Sequence, residues 1–432
     1  MASIRGNAMV LIWSGLIFYG LPTAAVSQWA VFYMKDLGVS TTQIGFLSVI
    51  TTTSSLGFLL LGGVMTDALG RKKTNILLDV IAWVGGYIIL AVAQNFAYFV
   101  IYSVVWGVSA ASGVAYGCLF AESVRPESRG EAYALNAVLS PLPGLFMPFL
   151  GVLIIEHFQT LMGPIAGLVY AVRLLYFAVA ASVVGGVTLR YFKVREITPA
   201  VPTAGFLPRR YLFVFSPFPP RLPRLVFHTK LLESYWEDLG WLWNRRAPFY
   251  YWLTTALASV ASAIPSIVYP LYVVEKLGLQ LSALALLAST STATGIIITL
   301  FIAPRLGVQN LKKFLLIGYS VLPASPLLFI MAGRNLLLLA TSSIVGSISG
   351  AFAGPAGGGY WADIIPDSRR AKVSAVTGIM NNALVIPAGF IGVILYQEAS
   401  FLPWIVVAAT EVVALLILLN LPDNPLDQGK KS

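Results

Sequence analysis

Charge is scarce in this chain. Of its 432 residues, 11% are Asp, Glu, Lys or Arg and 57% are hydrophobic, against about 25% and about 45–50% in soluble domains. A soluble enzyme, a disordered chain and a nucleic-acid-binding protein are poor readings of that balance. The single cysteine, Cys118, has no intramolecular disulfide partner, which also excludes a Cys-based metal cluster. His157 and His228, the two histidines, are far apart in sequence and form no metal motif. No Gly-rich loop ends in Lys-Ser or Lys-Thr, so ATP-driven work is not expected. Neither a metal nor a cofactor is expected. The apolar run after Arg5 reaches about Tyr33, too long for a signal-peptide core of roughly 7–15 residues. It reads as a membrane span.

What is present is a series of apolar runs. A spanning helix needs about 20 such residues. Twelve segments qualify, near residues 8–33, 42–66, 74–94, 97–121, 131–155, 164–189, 247–273, 282–303, 311–332, 336–361, 371–395 and 401–421. The expected class is an all-α integral membrane protein with twelve transmembrane helices. The basic residues set its orientation. With both termini on the cytoplasmic side, 24 of the 28 Lys and Arg fall inside, only Lys35, Lys276 and Arg334 fall outside, and Arg173 lies within a span. That split is the positive-inside signature of a multi-pass protein of the cell membrane.

The chain repeats itself at an offset near 240. Tyr33-Met34-Lys35-Asp36-Leu37-Gly38 is echoed by Tyr272-Val273-Val274-Glu275-Lys276-Leu277-Gly278. Ala121-Glu122 with Pro126-Glu127-Ser128-Arg129 is echoed by Ala362-Asp363 with Pro366-Asp367-Ser368-Arg369. Pro148 pairs with Pro387, and the Ser/Thr run 51–55 with the run 289–292. Two six-span halves in parallel orientation are expected, the sequence mark of secondary transporters. The expected domains are a bundle over 1–190, a linker over 191–246, a second bundle over 247–421 and a tail over 422–432. Prolines dense between 199 and 223 block regular helix in the linker. Thr229–Trp243 has none and reads as an amphipathic helix, resting on the bilayer or coupling the bundles.

Between spans 2 and 3 the sequence runs Gly62-Gly63-Val64-Met65-Thr66-Asp67-Ala68-Leu69-Gly70-Arg71-Lys72-Lys73. This resembles the signature loop of the major facilitator superfamily, with Gly63, Asp67, Gly70, Arg71 and Lys72 matching and Ala68 replacing the usual basic residue. With the spans, the repeat and the central linker, the resemblance covers nearly the whole chain. It implies two pseudo-symmetric six-helix bundles and a cytoplasmic gate. In such a gate the Asp67 carboxylate docks at the start of span 11, and Arg71 pairs with Glu122 at the end of span 4. In the second half Pro304 stands where the acid would recur, but Asp363 with Arg369 or Arg370 matches Glu122 with Arg129.

The resemblance also makes spans 1, 4, 7 and 10 the lining of a central cavity, joined by 2, 5, 8 and 11. Tyr19, Gln28, Asn136, Asn381 and Asn382 fall mid-span there and are candidate substrate contacts, since amides avoid lipid. Span 1 carries no acid between Arg5 and Lys35, unlike many sugar and drug carriers of this family. Three ionisable residues sit deep: Asp79, Arg173 and Glu411. All are candidates for proton coupling, Glu411 first; Asp79 is placed to join the Arg71 cluster and Arg173 to snorkel. The function expected is secondary transport of a drug-like compound or small organic metabolite by alternating access, by a monomer whose partners are its solute and the surrounding lipid, not nucleic acid. A lipid translocase of the same fold and a non-transporting sensor are the alternatives. No catalytic cluster is found for a membrane enzyme.

Overall fold

The computed structural model describes residues 6–124, 129–197, 236–237, 239–302, 305 and 310–422. Twelve helical runs account for almost all of them, in the order the hydropathy predicts. In a bilayer a backbone can satisfy its own polar groups only as helix or closed barrel. The runs are α1 (Gly6–Asp36), α2 (Thr41–Leu69), α3 (Arg71–Ala91), α4 (Phe96–Glu122), α5 (Arg129–Leu139 with Pro143–Met162), α6 (Pro164–Lys193), α7 (Arg246–Ala263 with Val268–Lys276), α8 (Leu281–Ile302), α9 (Leu311–Ala332), α10 (Leu336–Ile364), α11 (Asp367–Val385 with Ala388–Glu398) and α12 (Leu402–Leu419).

Ten are long and apolar enough to cross a membrane on their own. The two arms of α7 pass that test together, bent by 42°. With 29 residues and about 1.5 Å of rise per residue, α2 exceeds the roughly 30 Å of a hydrocarbon core. The breaks fall where the chain withholds a backbone donor. Pro265 lies in the bend of α7, Pro141 between the arms of α5 with Pro143 opening the second, and Pro387 between those of α11. The starts are capped. Ser40 and Gln43 form a reciprocal capping box on α2, and the Asn95 and Asn335 side chains accept from the first amides of α4 and α10.

Within the first half, α2 and α4 pack closely. A Cβ on Gly107 would lie 2.5 Å from the Ser54 side chain, so only glycine admits that approach. Between the halves, α2 meets α11 and α5 meets α8. One continuous apolar core, including Trp29, Tyr33, Tyr176, Leu271, Phe329 and Trp404, joins both halves at the end poor in basic residues. The core clusters nearer the basic-rich end each draw on one half only. The helix read over Thr229–Trp243 is described only near its end, where 239–243 are helical. There Leu242 is fully buried against Trp252, Ile365 and Val373, so that end docks on the second half, while Trp236 and Trp243 remain exposed. Residues 229–235 and 238 of that span lie outside the described residues.

Candidate functional site

A cavity of about 660 Å³ opens between the halves. One wall is α1, through Ser27, Gln28 and Val31; the remainder comes from α7, α8, α9, α10 and α12. Eight serines line it, among them Ser262, Ser291, Ser325, Ser343 and Ser347. Most already donate to carbonyls of their own helix, as Ser343 does to Leu339 and Ser347 to Ser343, or to each other, as Ser291 and Ser347 do at 2.7 Å. Their hydroxyl oxygens present mainly acceptor lone pairs to the cavity. An aromatic wall stands with them. Phe329 stacks on Trp404 with centroids 5.0 Å apart and on Tyr269 at 5.3 Å.

Two buried polar atoms of this lining lack partners among the described residues. They are Gln28 Oε1 and Glu411 Oε2. Glu411 is 6% exposed. Family analogy would set α12 at the periphery, yet this acid reaches the cavity between α7 and α9. Of the predicted substrate contacts, only Gln28 lines this space. The Tyr19 hydroxyl instead donates to Asp79 Oδ2 at 2.7 Å. Asn136 accepts from Ser140, and Asn382 donates to the Gly378 carbonyl. Asn381 is not on the lining either; its Oδ1 is buried without a partner among the described residues.

The other two deep charges are structural in setting. Asp79 does not join Arg71. It is 2.9 Å from Arg190 and accepts from Tyr19, Ser112 and Asn75. Arg190, one of the 24 basic residues that the sequence reading sets on the cytoplasmic side, is 4% exposed in the last turn of α6. Its guanidinium also donates to Ser14 and Asn75 and lies over the rings of Tyr19 and Tyr116. Arg173 does not snorkel freely: it donates to the Ala93 carbonyl at 2.6 Å and to Tyr33 at 3.3 Å.

At the basic-rich end, the Arg71–Glu122 pair implied by the signature loop is present at 2.7 Å. The sequence reading missed Glu196, just past α6. Its carboxylate accepts the backbone amides of Arg71 and Lys72, each at 3.0 Å, which neutralises the exposed donors at the start of α3. Gly70 turns the chain there with φ +89°, and a Cβ would sit 3.0 Å from Glu196. The one available signal was that Glu196 is the sole acid between Arg190 and Lys230. Lys72 meanwhile donates to the Tyr191 carbonyl. Gly63 lies in α2, but the side chains of Asp67, Arg129 and Arg370 lie outside the described residues. Asp363 is at the end of α10 and Arg369 in the first turn of α11.

At the opposite end Lys35 and Glu275 form an ion pair at 2.6 Å. They come from different halves and are 240 residues apart, one repeat period. Gln397 adds a hydrogen bond to Thr42 across the same junction at 2.9 Å.

Solved transporters share this architecture. The nucleoside transporter NupG superposes with a TM-score of 0.67 at 11% identity, covering 96% of this chain and 99% of its own. A D-xylose-proton symporter gives 0.68 at 14%, covering 96% and 98%. The human organic anion transporter MFSD10 (TETRAN) gives 0.61 at 16%, covering 95% and 98%. At such identities the likeness is one of fold. No curated protein matches the sequence. The family model described as Major Facilitator Superfamily matches residues 12–244 and 251–432, and the chain belongs to that superfamily.

Proposed function

We propose that this protein is a secondary transporter that moves a small organic solute across the cell membrane by alternating access, coupled to protons through Glu411. The observation that carries the reading is the cavity between the halves, sealed at one end by the Lys35–Glu275 pair and the shared apolar core, with an unpaired buried carboxyl in its wall. A midplane site between two rocking bundles is the common plan of such carriers. An intramembrane acid without a fixed partner is a natural site for loading and release of a proton. The excess of basic residues on one side supports a cytoplasmic location for both termini. On that orientation the sealed end faces outward and the arrangement corresponds to an inward-facing state.

The test is counterflow in proteoliposomes with a panel of labelled amines, sugars, organic acids and nucleosides. A carrier shows saturable uptake stimulated by the same solute on the far side. A pH gradient should drive accumulation by the wild type, whereas Glu411→Gln should retain exchange but lose gradient-driven accumulation. A ligand that binds but never shows counterflow would make the protein a sensor; unchanged accumulation in Glu411→Gln would remove this residue from coupling.

A further inference from the structure

We infer that the cavity takes an organic monocation, whose positive charge stands against Glu411 in the place otherwise held by a proton. The inference rests on the carrier reading and narrows it to a substrate class. Glu411 is buried with one carboxyl oxygen unpartnered among the described residues. No Lys, Arg or His is among the described residues of the lining. Elsewhere this fold supplies a cation when it buries an acid: Asp79 has Arg190 at 2.9 Å. Glu411 has no such counter-charge among the described residues. Its helix packs against α7, α9 and α11. The ionisable groups those elements bring to it are phenolic, Tyr319 acting on it from α9 and Tyr269 sharing the cavity wall from α7.

A bare carboxylate held away from water is costly, so it keeps a proton or takes a positive ligand. An anion would meet a like charge, and a neutral solute would leave the proton where it is. The rest of the wall suits a cation. The ring faces of Trp404, Phe329 and Tyr269 attract positive charge, and the serine oxygens present lone pairs, their hydrogens being committed elsewhere. One carboxyl is neutralised by one charge. Binding a monocation therefore releases one proton, and exchange of the two moves no net charge.

The probes are tetramethylammonium, choline and benzyltrimethylammonium, with benzyl alcohol and benzenesulfonate as neutral and anionic controls. Calorimetric titration of the purified full-length protein in buffers of different ionisation enthalpy reads the protons released. The expected result is one proton per bound cation, with affinity falling as the pH is lowered. Glu411→Gln should bind the cation at least tenfold more weakly and release no proton, while Glu411→Asp should keep the release and thereby show an intact cavity. Failure of all three cations to bind, binding without proton release, or equal binding by a folded Glu411→Gln variant would each overturn the inference. Counterflow of neutral or anionic solutes only would overturn it and leave the carrier reading standing. Cation binding with proton release but no counterflow would uphold it and sink the carrier reading instead.

Discussion

Asp79 and Glu411 show how the neighbours of a carboxylate decide what it can do. The first is bound on both oxygens and ion-paired with Arg190, so its charge is held in place. Removing one partner of a buried pair leaves the other uncompensated, at a cost of about 3–5 kcal/mol, whereas replacing both with apolar residues is often close to neutral. Arg190→Met alone should therefore lower the unfolding temperature markedly, and the combined D79L/R190M variant should recover most of the loss. A double variant no better than the single one would mean that the pair is not what the single change disrupts. Asp79 was legible as a deep acid, but its pairing with Arg190 was not. Arg190 stands three residues before Lys193 at a helix end, where a basic residue ordinarily faces the cytoplasm, and a helix apolar all round offers no pattern to say which face is buried. Glu411 was legible as a deep acid, because a charge inside an apolar run is conspicuous. That it reaches the cavity was not, because the packing of α12 against α7 and α9 decides it.

The helices themselves were easier to read than their joints. Spans declare themselves by about 20 apolar residues, and caps such as Ser40 with Gln43 mark their starts. The loop before α3 adds a feature that only distant chain contact could create, the Glu196 carboxylate seated on the first amides of that helix. Loss of a helix cap costs about 0.5–2 kcal/mol. Glu196→Ala should fall in that range, and Gly70→Ala should be at least as damaging, since φ +89° and the nearby carboxylate both oppose a side chain. Thermal unfolding of the two variants checks the order. If Glu196→Ala were as stable as the wild type, the carboxylate would be a bystander. The prolines marked where α5, α7 and α11 break, but the 42° bend of α7 depends on what the two arms pack against.

Across the whole molecule, the halves were legible from the repeat, and the seal at one end was not, because an ion pair between residues 240 apart leaves no local pattern. Lys35 and Glu275 are partly exposed, and pairs of that kind contribute about 0.2–1 kcal/mol, enough to change a conformational ratio by about fivefold at most. Lys35→Glu should favour opening at that end. Labelling of a cysteine placed at Ser27, in a Cys118→Ser background, should then quicken from the basic-poor side, and K35E/E275K should restore the slower rate. Equal rates in all three would show that the apolar core alone holds the seal. The pair also carries a trace of ancestry. A homodimer of two identical halves would meet itself across its twofold axis with the same residue on both sides, lysine against lysine or glutamate against glutamate. Opposite charges at equivalent positions require that the two copies have diverged. The seal is thus younger than the duplication, and an artificial protein built from two first halves would be expected to repel itself at that very contact.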